Sequence, residues 1–245
     1  MLWQARLLRF TVFPRRPGGV APDLEWWREV AGDEPDRINS QPKLGVVDIR
    51  GQYGVAQVVL HGEPDRIHWI YAPLEEADPT ELLGAFAECL ELFEVLLARW
   101  FGSERLPVLG RVALGAILRA PVASVEDGYV VLRQMLKSVK IQEGASDFFY
   151  QINLPAQVTL DGERQCKVNR LTRWSVAAVE TVNAVFGGGL SFGSVPVASD
   201  VFAQVEFDIN TALDETAEYH AVDLPILFSR FKEVAIRIAE DGEPI

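Results

Sequence analysis

The sequence predicts an α+β fold of two pseudo-repeated units, residues 1–103 and 104–245, with antiparallel sheets that carry their helices on one face. Three observations predict it. The same element order (strand, short helix, three strands, long helix) is read twice along the chain. Residues 79–101 and 223–241 show the spacing of amphipathic helices, each with one broad apolar stripe. Between them, several segments alternate apolar and polar residues with the period of half-buried strands. A helix with a single stripe needs one sheet face to cover it, so the two units are expected to be two-layered. They would join at "GSERLP", 102–107, and form one compact domain if a pseudo-twofold axis relates them.

Taken in order, residues 4–13 give the first strand and 22–30 a short helix. Strands follow at 44–50, 55–61 and 66–71, the last two joined by a turn in "HGEPD". The long helix is placed at 79–101: Asp78 as cap, Pro79 in the first turn, Glu81 completing a capping box and Gly102 as stop. Its stripe is Leu82, Phe86, Leu90, Phe93, Leu97 and Trp100. The second unit repeats the order with a strand at 111–120 and a helix at 125–139 opened by Ser124 and Asp127. Strands at 148–154, within 166–182 and at 202–210 come next. Asp223 and Pro225 then start a last helix, whose stripe is Leu227, Phe231, Val234 and Ile238, and Asp241-Gly242 ends it.

With 245 residues, 49% of them hydrophobic, the chain can bury a large core without metal or disulfide staples. The two cysteines, Cys89 and Cys166, fall in apolar patterns and read as small buried hydrophobes of a reducing, cytoplasmic compartment. A net charge of −12 disfavours broad affinity for nucleic acid or anionic membranes, which rests on Lys and Arg. No apolar run reaches the ~18 uncharged residues of a membrane-spanning helix, and the N-terminus has no signal-peptide pattern.

No residue set is assigned to catalysis, metal or cofactor. His61, His68 and His220 are scattered, although the first two flank a hairpin turn and can approach across it. Glu206 and Asp208 share a strand face, with Asn210 and Asp200 nearest, which is an incomplete oxygen set for a cation. "VFGGGLSFGSVP", 185–196, lacks the Lys-Ser/Thr of a phosphate loop and the third glycine of a dinucleotide fingerprint; it reads as a loop or bulged crossing.

The candidate ligand or partner patch is Arg170, Arg173, Trp174 and Trp26. The basic run "CKVNRLTRWSV", with Arg164 upstream, stands out in an acidic chain. Strand alternation splits it: Arg170, Thr172 and Trp174 on one face, Lys167, Asn169 and Arg173 on the other. The alternative is structural, with Lys167 or Arg173 paired to Glu206 or Asp208 on a neighbouring strand. Trp26 and Trp27 are adjacent on a short helix, about 100° apart, so both are buried only if two sides of that helix are covered; otherwise one is a partner anchor.

The stretches "FTVFP", "YQINLP" (150–155), "NRLTRWS" (169–175) and "FDINT" (207–211), the last followed by a terminal helix, resemble those of an uncharacterised, sporadically distributed group of bacterial proteins of about this length. The resemblance spans nearly the whole chain. It implies no known activity and would fit an accessory component of a mobile bacterial multi-gene system. The expected shape also resembles the helix-grip arrangement of several ligand-binding and nucleic-acid-binding modules. The function expected is therefore that of a non-enzymatic interaction or adaptor protein with a protein partner. A small-ligand or nucleotide sensor using the cleft between the halves is the alternative.

Overall fold

The computed structural model describes residues 3–18, 22–160, 162, 164–186, 192–214 and 216–243. The elements in order are β1 (Gln4–Pro14), α1 (Leu24–Ala31), β2 (Arg37–Gln41), β3 (Val46–Tyr53), β4 (Ala56–Glu63), β5 (Arg66–Pro73), β6 (Gly84–Ala85), α2 (Phe86–Phe101), β7 (Leu109–Val122), α3 (Val125–Met135), β8 (Phe149–Asn153), β9 (Ala156–Thr159), β10 (Gln165–Phe186), β11 (Phe192–Thr211) and α4 (Leu224–Asp241). Of the "VFGGGLSFGSVP" segment, residues 187–191 lie outside the described residues.

The eleven described strands form one sheet, not two. Its order is β2-β3-β4-β5-β1-β7-β11-β10-β8, with β6 added to β1 and β9 to β10. Strands hold about twice as many residues as helices, so the chain is a large antiparallel sheet with few helices. This corrects the expected α+β fold of two strand-helix-strands-helix units. The physical reason lies at β1 and β7, which pair along nearly their whole length, from Gln4↔Arg119 to Pro14↔Leu109. Two separate sheets would leave an unpaired edge on each of these strands, whereas pairing them removes both. The flanks also differ: β5, β4, β3 and β2 follow on one side, while on the other the long β11 and β10 carry two short strands on one edge.

One apolar layer runs the width of this sheet. Register places Leu8, Phe10 and Val12 of β1 beside Tyr71, Trp69 and Ile67 of β5 and beside Ala116, Leu114 and Val112 of β7, all of them buried. The helices cover this same face. Phe101 of α2 and Phe228 of α4 meet Phe10 at ring distances of 5.3 and 5.5 Å. A Cβ on Gly128 of α3 would lie 2.8 Å from Val176 of β10, so that glycine lets the helix settle onto the strand. Trp27 of α1 stacks on Trp69 at 6.3 Å, while Trp26 meets Trp100 edge-on at 5.6 Å. Helix α1 is thus covered on two sides, and both adjacent tryptophans are core.

Capping follows the sequence at α3, where Ser124 accepts from the Asp127 N–H; at α1 Asp23 accepts from the Trp26 N–H. It departs at α2. The Asp78 carboxylate instead receives the backbone N–H and hydroxyl of Thr80, closing a turn. Gly84 then takes φ +114°, and the Leu83 N–H bonds to the Ala5 carbonyl, so the chain joins the sheet edge before turning helical at Phe86. At α4, Asp223 caps the preceding turn through the His220 N–H and binds Arg164; Pro225 still occupies the first helical turn. Among the described residues no helix is long and apolar enough to cross a membrane.

Candidate functional site: the open face of the sheet

Because α1 to α4 lie on one face, the other face of the sheet carries no helix among the described residues. Its side chains are the alternate set that the period of two dictates. Register lines them up in rows across the strands. One row reads Asp48, His61, His68, Thr11, Ala113, Asn210 and Asn169 from β3 to β10. The next reads Arg50, Val59, Ile70, Arg9, Gly115, Asp208 and Leu171. The small residues Ala113 and Gly115 sit mid-sheet on β7, so the centre of the face is low. Two hollows flank it. One of about 740 Å³ is lined in part by Arg9, Thr11, Phe13, Arg66, His68 and Arg111, and one of about 310 Å³ by Arg9, Gly115, Leu171, Arg173, Glu206 and Asp208.

The first row is linked at each of its ends. Asp48 Oδ2 lies 3.1 Å from His61 Nδ1, the His61 and His68 rings stack at 6.0 Å, and His68 Nδ1 is 2.8 Å from Thr11 Oγ1. Farther along, Asn169 donates to Asn210 at 3.1 Å and Asn210 donates to Asp208. Burial disfavours the Asp48 carboxylate, but the Arg50 and His61 contacts outweigh it and hold the carboxyl below its ordinary range. Burial lowers the His68 pKa from 6.5 to about 4, and the positive charges of Arg9 and Arg66 push the same way. Among the described residues no group of three His, Cys, Asp or Glu side chains could hold a metal ion.

The His68 shift gives a stability prediction with a definite sign. The unfolded imidazole takes up a proton near pH 6.5 and the folded one only near 4, so the unfolded state binds more protons in between. Stability is therefore full above about pH 6.5 and falls as pH drops toward 4. Between pH 7 and 4 the wild type is expected to lose about 2 to 3 kcal/mol more than His68→Gln, allowing for solvent screening. Denaturant melts at both pH values measure it; equal losses would show that the ring is charged in the fold.

The structure separates the four residues of the predicted patch. Trp174 and Trp26 are in the core, at 0% and 1% exposure. Trp174 packs edge-on against Trp3 and donates its indole N–H to Glu243 at 3.0 Å. Arg170 lies on the helix-side face and donates Nε–H to the Leu154 carbonyl at 2.8 Å. Arg173 alone of the four reaches the open face, where Nε–H donates to Gln151 at 2.8 Å and Nη1 lies 3.6 Å from Glu206, its register partner. That is the cross-strand pairing expected of the basic run. Lys167 and Arg164 line a separate hollow of about 710 Å³ near Tyr219, and Arg164 is bound to Asp223. Of the tentative cation set, Glu206 faces Arg173 while Asp208 faces Arg9 at 3.5 Å.

Sequence reasoning missed Arg9, Thr11, Arg66 and Arg111. A usable signal lay in "LLRFTVF", where Leu8, Phe10 and Val12 alternate with Arg9 and Thr11. The chain matches no protein-family model, and no curated protein matches it in sequence.

Proposed function

We propose that the protein is a non-catalytic, cytoplasmic interaction protein that holds a protein partner on the open face of its sheet. Segregation of α1 to α4 to the opposite face carries this reading, since among the described residues it leaves a broad, shallowly hollowed surface on the sheet. The tryptophans of the predicted patch do not supply the docking surface, because Trp26 and Trp174 are internal. Within this proposal, the resemblance to sporadically distributed bacterial proteins fits an accessory component of a multi-gene system. A second reading, a small-ligand or nucleotide sensor, draws on the 740 Å³ hollow over the β1–β7 junction. That hollow is open, with polar and apolar lining in about equal parts, whereas small-molecule sites generally enclose most of the ligand among apolar walls.

The test is copurification from the native host with two variants, each first shown to fold by its thermal melt. Ala113→Arg raises the floor of the open face, and Val95→Arg alters an exposed position on α2. A protein partner is expected to be lost at least tenfold with the first and kept with the second. The reverse pattern would overturn the assignment of the face. A copurifying small molecule in place of a protein would establish the sensor instead.

A further inference from the structure

We infer that Arg111, with Arg66 across the Phe13 ring from it, forms a receptor for a single oxyanion, a carboxylate or phosphate group, in the larger hollow of the open face. This names the chemistry of the proposed partner and rests on that face being the binding surface. Phe13 of β1 lies between β5 and β7, and each of those neighbours brings an arginine to it. The guanidinium carbons of Arg66 and Arg111 lie 6.0 and 5.1 Å from the ring centroid. Stacking on an aromatic face fixes a guanidinium plane while leaving its N–H edge to bind an acceptor.

The charges at this place are unevenly satisfied. Arg66 lies 3.0 Å from Asp65 and 3.4 Å from Glu63. Arg111 meets no carboxylate at ion-pair distance among the described residues, and its Nε is buried without a hydrogen-bond acceptor. Arg9 also has a buried Nε without an acceptor, although its Nη2 lies 3.5 Å from Asp208. A buried cationic donor without an acceptor, as at Arg111, is costly unless something fills that role. The acidic residues lining the same hollow are already engaged: Asp65 by Arg66, Asp208 by Arg9 and Asn210, Asp214 by Thr216. An incoming oxyanion therefore finds one arginine, Arg111, that no carboxylate lining the hollow already holds. An acidic or phosphorylated segment of a protein partner supplies such a group.

The purified full chain tests this with two labelled peptides, one of eight glutamates and one with a single phosphoserine in a neutral sequence. Fluorescence anisotropy is expected to show binding of at least one, weakening as salt rises from 0.05 to 0.5 M. Arg111→Gln should weaken it at least tenfold, and Arg111→Lys by a lesser factor, because charge is kept and the planar fork is lost. Arg173→Gln, on the same face but outside this hollow, should change it less than twofold. Binding of the glutamate peptide assigns a carboxylate, and of the phosphopeptide a phosphate. If the wild type binds neither, or Arg173→Gln weakens binding as much as Arg111→Gln, the receptor is refuted. The open-face assignment is judged separately, by the Ala113→Arg copurification.

Discussion

Replacing Phe228 by alanine is expected to destabilise the protein by about 3 to 5 kcal/mol. The side chain is fully buried, and its ring lies 5.5 Å from Phe10, 5.8 Å from Phe101 and 6.4 Å from Phe93. It therefore ties α4 to α2 and both to the central strand. The loss combines the transfer energy of the ring, the cavity it leaves and the aromatic contacts. Urea denaturation followed by tryptophan fluorescence measures it. A change under 1 kcal/mol would mean that α4 does not lie on the sheet as described.

The second large effect is expected at Glu243, just beyond α4. Its carboxylate is buried and accepts from the Trp174 indole N–H and the Thr172 hydroxyl on β10. Met135 holds the same segment by accepting from the Glu243 N–H at 3.2 Å. Gly242 permits this path through φ +76°, and a Cβ there would run into the Met135 carbonyl. Glu243→Ala leaves two buried donors without an acceptor, at a cost of about 2 to 4 kcal/mol. Glu243→Gln keeps an acceptor oxygen and should cost about half as much or less. Thermal melts of the two variants compare them, and equal losses would show that the carboxylate bonds do not carry the effect.

Local patterning made the elements legible, while the pairing of distant strands did not follow from it. The alternation of "VFAQVEFDIN" located β11, and the spacing of Phe86, Leu90, Phe93 and Leu97 located α2, because burial of one face writes a period into the chain. The start of α2 was misplaced because Asp78 and Pro79 fit a helix cap as well as the turn they form. The merging of two expected units into one sheet was hidden for a different reason. Whether β1 pairs with one strand or two depends on its backbone edges, and side-chain pattern reports faces, not edges. The candidate site suffered in the same way. The basic run attracted attention by being contiguous, yet period two sends its members to opposite faces. Arg66 and Arg111 lie 45 positions apart in sequence, and only strand register brings both to Phe13.

The central position of β1 has a consequence for synthesis of the chain. One edge of β1 is matched by β5, complete at Pro73, but the other waits for β7, complete at Val122. At about 5 to 20 residues per second, translating the intervening ~50 residues takes roughly 3 to 10 s. Throughout that interval a nascent five-stranded sheet presents an unpaired central strand, with Leu8, Phe10 and Val12 still lacking the rings of α4. An exposed apolar edge of this kind templates association between chains on neighbouring ribosomes. Holdase chaperones that shield the first 120 residues would therefore raise the yield of folded protein more than agents acting after release.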